Sequence, residues 1–367
     1  MDVITQNTVV YYISFLVPIF AIFLLSSKYN VKLEKIVLNY LSIVYIGFII
    51  LLIGFRKIGP EGFTDTNMYM HWFHASKLDG VINTKDIGFG VLTYLLSYIV
   101  NVKVYFFLCT LLSFSLLIWT SYKVAKEKWF LMLLGIMVSL YFWNSEVFTI
   151  RQGLASNFML AAIFSKNKYF KIVLSLLAVS FHQSFGLTAL AFLIVSYYNK
   201  TKVILSAWIV MLIISSIFNN QILTLFSKVI SSESFNYYLY TNEFSKLSFR
   251  WDVAFFSFIF MGIGLYNLKV KNLNTDKTYR LILNLYICTN IFLLILGKSN
   301  IMHRFAYLSW FLIPIIIFYP LFKTKFEFNY SKYLTWFLAM YAFIVMYTVL
   351  KIYSQDMKFV PATSISI

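Results

Sequence analysis

Long apolar stretches separated by short polar ones run along the chain, and they predict helices that cross a membrane. Ten such windows lie near residues 8–26, 36–54, 104–122, 129–146, 148–165, 203–218, 252–268, 281–297, 305–322 and 333–350. A helix needs about 20 apolar residues to cross the hydrocarbon core. We therefore expect an all-α, polytopic integral membrane protein with about 10–12 transmembrane helices plus short half-helices, folded as a single membrane domain over residues 1–367.

Two further apolar stretches have unusual lengths. Ile87–Val100 is short for a full crossing and is expected to form a half-helix or an interfacial helix. Ile172–Tyr198 is interrupted by the polar sequence FHQS at Phe181–Ser184. It is too long for one straight span and too short for two, so we expect a hairpin that enters and leaves on the same side of the membrane.

The apolar run from Trp129 to Ser165 is close to two membrane thicknesses long, so the chain must turn within it. The polar cluster Asn144–Glu146 is the expected turn, which places Arg151 in the first turns of a new helix. An arginine at the bilayer centre costs about 2.5–3.5 kcal/mol. Arg151 is therefore interpreted either as a functional residue or as an interfacial arginine that reaches the headgroups.

The distribution of charge indicates the topology. With the N-terminus outside, 18 of the 31 Lys and Arg residues fall in cytoplasmic loops, but only four of the 14 Asp and Glu residues do. This agrees with the positive-inside rule. Two long loops, at about residues 55–86 and 219–251, then lie outside. We expect Arg56 and Lys57, at the edge of the first, to anchor a span at the headgroups.

The composition excludes several classes of protein. The chain is 60% hydrophobic and 12% charged, which no soluble domain of this size would be. The net charge of +17 comes from lysines scattered between apolar segments, so no nucleic-acid partner is expected. His71 and His74 are spaced like a metal-binding pair but lack a third ligand, and no Asp-x-Asp element occurs. We expect no metal and no cofactor.

Three arginines lie where helices begin on the outer side: Arg151, Arg250 and Arg304. A cation at a helix N-terminus opposes the helix dipole, but an arginine fork beside that terminus is a strong receptor for phosphate. The three positions therefore indicate a bound anion, for which a diphosphate is the first candidate. The alternative interpretation is that they are ordinary interfacial arginines.

Five segments along nearly the whole chain resemble the Wzy-type bacterial polysaccharide polymerases, in their EpsG-like branch. They are GPEGFTDTNMY at Gly59–Tyr69, KDIGFGVL at Lys85–Leu92, IRQGLA at Ile150–Ala155, FHQS at Phe181–Ser184 and HRFAYL at His303–Leu308. The arginine–glutamine element followed by the histidine element is the most distinctive part of the series.

The resemblance implies an enzyme of the bacterial inner (cytoplasmic) membrane with a fold similar to the GT-C glycosyltransferases. It implies as substrate an oligosaccharide repeat unit linked by diphosphate to undecaprenol. A growing chain would be transferred onto a new unit at the outer face, without a metal, and undecaprenyl diphosphate would leave. Membrane lipids are the other expected partner, and a chain-length regulator is a further candidate on which the sequence is silent.

The reaction needs donors for the leaving diphosphate and a base for the acceptor hydroxyl. The expected catalytic residues are Arg151 and Arg304 for the diphosphate and Asp65 or His182 for the base. The expected substrate contacts are Gln152, Arg250, Tyr69, His303 and Gln183. Tyr69 is assigned to stacking on sugar rings. The lesser candidates are Glu61, His71, His74 and Asp86.

Two other activities fit the same residue types. A flippase for the lipid-linked unit would also use arginines, but it needs basic groups at both faces of a cavity, and inverted repeats are not apparent. An O-antigen ligase or an acyltransferase would differ mainly in its acceptor. Loss of a flippase should abolish even single-repeat product, whereas loss of a polymerase should abolish only the long chains.

Overall fold

The computed structural model describes residues 31–56, 58, 65–80, 85–229, 249–270, 273–297, 302–323, 329 and 331–343. All regular structure within these ranges is helical, which confirms the all-α prediction. The main helices are α1 (Val31–Gly54), α2 (Thr66–Asp79), α3 (Ile87–Ile99), α4 (Val102–Ala125), α5 (Trp129–Met137), α6 (Ile150–Phe164), α7 (Lys168–Phe181), α8 (Phe185–Tyr197), α9 (Thr201–Val229), α10 (Trp251–Val270), α11 (Lys277–Ile295), α12 (Met302–Trp310), α13 (Ile313–Lys323) and α14 (331–343).

Five described stretches are long and apolar enough to cross a membrane, as expected of a polytopic membrane protein. They are Val102–Met137, Thr201–Ile222, Trp251–Lys269, Lys277–Ile295 and Phe305–Lys323. The predicted window at 8–26 lies outside the described residues, as do residues 344–350 of the last window. The total of 10–12 crossings, the single domain and the similarity to GT-C folds stay predictions.

The chain reverses twice between α4 and α6. Lys126 has a positive φ of 47°, and α5 returns along α4. A π-helix, Trp143–Phe148, occupies the place predicted for the second turn. That prediction was wrong by a few residues, because the backbone N–H and the hydroxyl of Thr149 both donate to the carbonyl of Asn144 and close the π-turn. The helix breaks at Thr149, and α6 begins at the next residue.

A buried polar network holds the π-helix against α4 and α6. We call it the Glu146 network; its members are Arg56, Thr110, Ser113, Glu146, Val147 and Asn157. Ser113 and Asn157 both donate to the Glu146 carboxylate. Arg56 donates to the carbonyl of Val147 at 2.5 Å and that of Ile53 at 2.8 Å. Buried polar groups of this kind are stable only when they are hydrogen-bonded.

The predicted interruption at Phe181–Ser184 is present as a break between α7 and α8. α7 packs against α3 and α6, whereas α8 packs against α11. The Thr188 hydroxyl donates to the carbonyl of Leu308 at 3.2 Å, and Asn284 donates to Asn199 beyond the end of α8. The break therefore brings His182 and Gln183 to the ends of α3 and α6.

Candidate functional site

The carboxylate of Asp86 is the centre of a polar cluster formed by separate parts of the chain. Its Oδ2 atom accepts from Nη1 of Arg151 and lies 3.4 Å from Nδ1 of His182. Its Oδ1 atom accepts from the backbone N–H of Gln183 at 2.9 Å. The side chain of Gln183 donates to the carbonyl of Lys85 at 2.7 Å. These contacts join the start of α3 to the start of α6 and to the α7–α8 break.

The local backbone explains why these groups meet. The break between α7 and α8 releases backbone groups that an unbroken helix would pair internally, and a backbone amide left without a partner away from water is costly. Asp86 receives one of them, the N–H of Gln183. Asp86 is the N-cap residue of α3, yet its side chain makes no capping hydrogen bond to that helix. The carboxylate is instead directed across to the break.

Aromatic rings cover another side of Arg151. The guanidinium carbon lies 4.8 Å from the centroid of the Trp72 ring and 5.8 Å from that of Tyr69, both on α2. The Tyr69 hydroxyl lies 3.5 Å from Oδ2 of Asp65, at the start of the same helix. Cation–π contacts of this kind are worth about 0.5–2 kcal/mol. The two rings restrict the orientation of the guanidinium plane, and the carboxylate of Asp86 binds its Nη1 atom.

Arg151 and His182 are more exposed to solvent than Asp86, which lies between them. The side chain of Asp86 is only 6% exposed, whereas those of Arg151 and His182 are 21% and 27% exposed. Burial raises the pKa of Asp86, but the hydrogen bond and charge of His182, the N–H of Gln183 and the charge of Arg151 outweigh burial and place that pKa below its usual value. Arg151 and His182 can therefore reach a ligand, and Asp86 acts as their charged support.

Five of the nine predicted site residues lie in this cluster: Asp65, Tyr69, Arg151, His182 and Gln183. Together with Trp72 and Asp86 they form what we call the Asp86 cluster. Their assigned roles stay predictions. The cluster draws on four of the five segments that carry the family resemblance, which lie more than 100 residues apart at their extremes.

Of the other four predicted residues, Gln152 and Arg250 lie outside the cluster. Gln152 is buried on α6, and its carbonyl accepts from the Tyr141 hydroxyl at 3.4 Å. Arg250 places its Nε and Nη2 atoms on the carboxylate of Asp252, at 2.8 and 2.7 Å. The side chains of His303 and Arg304 lie outside the described residues, as does Glu61.

Two expectations need correction. Tyr69 is only 1% exposed, and its ring contacts Trp72, Phe89 and the Arg151 guanidinium, so it cannot present a face to a sugar in this structure. Arg56 was expected to anchor a span at the headgroups, but it is 4% exposed and belongs to the Glu146 network. Lys57 lies outside the described residues.

The sequence reasoning underrated Asp86 and missed the Glu146 network. An aspartate directly before a helix is ordinarily a helix cap, so Asp86 carried little functional signal. Ser113 and Asn157 each interrupt an apolar segment, and with Glu146 they could have been interpreted as one buried polar cluster. Only the fold shows that these three residues meet.

A model of the EpsG family matches residues 38–364, a range that contains the whole Asp86 cluster. The chain therefore belongs to the EpsG family, which is a family of Wzy-type polysaccharide polymerases. This confirms the resemblance found in the sequence, and it indicates a polymerase-like role in the synthesis of a polysaccharide by a multi-pass membrane protein. No curated protein and no solved structure matches the sequence.

Proposed function

We propose that this chain joins oligosaccharide repeat units carried on undecaprenyl diphosphate, by glycosyl transfer at the outer face of the bacterial inner membrane. A hydroxyl of the acceptor unit attacks the sugar carbon that carries the diphosphate of the donor. The new glycosidic C–O bond forms and the bond from that carbon to the phosphate oxygen breaks. The hydroxyl proton passes to a base on the protein, and undecaprenyl diphosphate leaves.

One observation carries the proposal most strongly: Arg151 and His182 lie on the same buried carboxylate, with Nη1 of one and Nδ1 of the other directed at Oδ2 of Asp86. A group that stabilises negative charge is thereby held beside a group that can accept a proton. Glycosyl transfer from a diphosphate uses both kinds of group. Transport of the same lipid would need the cation but not the base.

Arg151 is assigned to the leaving diphosphate. Its contact with Asp86 uses one of its two terminal nitrogens, and about a fifth of the side chain is exposed. Negative charge develops on the phosphate oxygen as the C–O bond breaks, and a preorganised cation lowers the barrier most at that moment. Removal of one such donor typically lowers the rate by about 10²–10³.

His182 is assigned as the general base. It lies in the α7–α8 break and is partly exposed, so its ring can meet an acceptor hydroxyl. Asp65 accepts from the hydroxyl of Tyr69, whose ring lies against Arg151, and is assigned to the sugar hydroxyls. Arg304 is kept as a second cation for the diphosphate because it belongs to the HRFAYL segment. Arg250 is left out, because Asp252 occupies its fork.

The test compares surface glycan in a host strain that depends on this gene. Replacement Arg151→Ala should leave single-repeat glycan and remove the long chains, and His182→Gln should do the same. Replacement Lys103→Ala is the matched control, since Lys103 is an exposed cation on α4 outside the cluster. Immunoblots of the membrane fraction must show equal amounts of each variant.

Three outcomes contradict the proposal. If Arg151→Ala is present at the normal level and the glycan chains keep their length, Arg151 is not the donor for the leaving diphosphate. Loss of single-repeat product together with long chains indicates a flippase. Accumulation of long chains on undecaprenyl diphosphate, without transfer to their final acceptor, indicates a ligase.

A further inference from the structure

Asp86 does not cap the helix that follows it, and its side chain instead contacts residues that are distant in the chain. A capping aspartate stabilises its own helix by about 0.5–2 kcal/mol through a hydrogen bond to the first turn. Asp86 occupies this position on α3 without making that bond. Its two oxygens are directed instead at Gln183, His182 and Arg151, which lie 65 or more residues away in the chain. The side chain is therefore committed to the α7–α8 break and to α6.

The protonation of the contact between Asp86 and His182 follows from the surrounding donors. Arg151 and the N–H of Gln183 both donate to the carboxylate and therefore favour its ionised form. An ionised carboxylate can only accept hydrogen bonds, so Nδ1 of His182 must carry the hydrogen that points at Oδ2. In a neutral imidazole the lone pair then lies on Nε2.

The carboxylate is held so that it cannot turn away from the histidine. Its Oδ1 atom is fixed by the N–H of Gln183, the residue that follows His182 in the chain. The Gln183 side chain donates to the carbonyl of Lys85, the residue that precedes Asp86. The two backbone segments are thus joined in both directions. Since Asp86 itself is almost completely buried, it can act on a substrate only through His182 and Arg151.

We propose that Asp86 is a positioning residue that fixes His182 as the Nδ1–H tautomer and leaves its Nε2 atom to take the proton of the acceptor hydroxyl. The inference rests on the role of His182 in the proposed function, and it adds the residue that prepares the base. The proton moves from the acceptor oxygen to Nε2, and the charge of the resulting imidazolium is balanced by Asp86. Asp86 gains no proton in this step.

The replacement Asp86→Asn gives a sharp test because the fold determines how the new amide would be oriented. The backbone N–H of Gln183 faces Oδ1 and cannot turn away, whereas Oδ2 faces Arg151 as well as His182, and the partly exposed Arg151 side chain can turn towards water. The amide oxygen should therefore take the place of Oδ1, and the contact with Arg151 is given up. The NH₂ group then faces Nδ1 of His182 and donates to it. Nδ1 becomes an acceptor, and the hydrogen moves to Nε2. The variant keeps the size of the side chain but reverses the tautomer.

The tautomer can be measured directly, without any activity. The chain has only four histidines, so the imidazole nitrogens of ¹⁵N-histidine-labelled protein in lipid nanodiscs give few resonances. Replacement His182→Gln identifies the resonances of that residue. At a pH where the imidazole is neutral, we expect the Nδ1–H form of His182 in the native chain and the Nε2–H form in Asp86→Asn. The control Asp79→Asn, an exposed aspartate at the end of α2, should match the native chain.

The rate of chain growth on lipid-linked repeat units gives the second measurement. We expect Asp86→Asn to lower the turnover number by about 10²–10⁴, the range of general-base catalysis and of a reversed histidine tautomer. Replacement Asp86→Glu should recover part of that loss, because it restores an anion that only accepts hydrogen bonds. A purely structural role would instead reduce the amount of folded protein without this recovery.

The two proposals can fail separately. The Nε2–H form of His182 in the native chain, or the same tautomer in the native chain and in Asp86→Asn, would overturn the role of Asp86. If the tautomer changes but His182→Gln still elongates normally, Asp86 positions the ring as inferred and the general base of the proposed function is wrong. If Asp86→Asn does not fold, the tautomer in the native chain and in Asp86→Glu still decides the matter.

Discussion

At the scale of single residues, Arg151 is held by two kinds of contact that act on different parts of the guanidinium. Asp86 binds one terminal nitrogen, and the Trp72 ring lies 4.8 Å from the guanidinium carbon. An anion alone would leave the plane of the group free to rotate. The ring fixes that plane, and a planar fork of known orientation is what a diphosphate requires.

The contribution of Trp72 can be tested by the loss of its ring. Replacement Trp72→Ala should slow chain growth roughly 2- to 30-fold, which corresponds to the 0.5–2 kcal/mol of a cation–π contact. Replacement Trp72→Phe keeps a ring and should stay closer to the native rate. The measurement is the rate of elongation in membranes. Equal rates for the alanine and phenylalanine variants would contradict a role for the ring face, and Trp251→Ala, an exposed tryptophan on α10, is the control.

The ionised state of Asp86 should be visible in the dependence of stability on pH. Because the pKa of Asp86 is lower in the folded chain, its contribution to stability is complete above the unfolded pKa of about 4 and is lost as the pH falls through the folded value. The difference in melting temperature between the native chain and Asp86→Asn in detergent should therefore shrink as the pH falls below about 4. A difference that grows as the pH falls below about 4 would contradict the assignment.

At the scale of helices, the π-helix and α6 form one unit that places Arg151. The Gly153 backbone lies so close to the π-helix that a Cβ added there would stand 2.7 Å from the carbonyl oxygen of Ser145 and 3.0 Å from the carboxyl carbon of Glu146. Arg151 is two residues from this contact, on the first turn of α6. π-helices are rare and are frequently found at functional sites. The glycine of IRQGLA is explained by this close approach.

Gly153→Ala should therefore be destabilising although alanine favours a helix. The new methyl group must displace backbone of the π-helix, and overpacking of this kind costs about 1–3 kcal/mol. Gly262→Ala on α10 is the matched control, because nothing lies within 4 Å of its added Cβ and alanine should there gain about 0.5–1 kcal/mol. Thermal melts in detergent compare the two. Equal stability of both variants would contradict the tight packing at Gly153.

Arg56 stabilises the same unit from the side of α1. Its three nitrogens donate to the carbonyls of Ile53 and Val147 and to the Thr110 hydroxyl. Lysine has one nitrogen and cannot serve three acceptors that lie in different directions. Arg56→Lys should therefore lower the free energy of unfolding by about 1–3 kcal/mol for each buried acceptor that loses its partner. A melting temperature equal to that of the native chain would show that the network does not depend on the fork.

At the scale of the whole molecule, the elements and most of the cluster could be predicted from sequence, but the pairing within it could not. The apolar windows predicted the helices, and the polar interruption at Phe181–Ser184 predicted the break that carries His182. Arg151 was correctly placed in the first turn of a helix. These features depend on local composition and periodicity, which a sequence records directly.

The remaining features depend on contacts between distant segments. The pairing of Arg151 with Asp86 needs α3 and α6 to meet, and the burial of Tyr69 needs α2 to cover that junction. The π-helix depends on Thr149 closing onto Asn144, which polar composition alone interprets as a turn. The sequence therefore indicated an arginine receptor for a diphosphate, whereas the fold supplies an arginine, a histidine and the carboxylate between them.

The arrangement of the whole chain in the membrane is the last feature that can be tested. The positive-inside distribution predicts that the Asp86 cluster lies outside and that the connection between α6 and α7 lies in the cytoplasm. Asp79, at the end of α2, and Lys166, between α6 and α7, are both exposed, and the native Cys109 and Cys288 are buried. An impermeant maleimide should label Asp79→Cys in intact cells, and Lys166→Cys only after the membrane is permeabilised. The opposite pattern would place the cluster in the cytoplasm, where a polymerase of exported repeat units could not act.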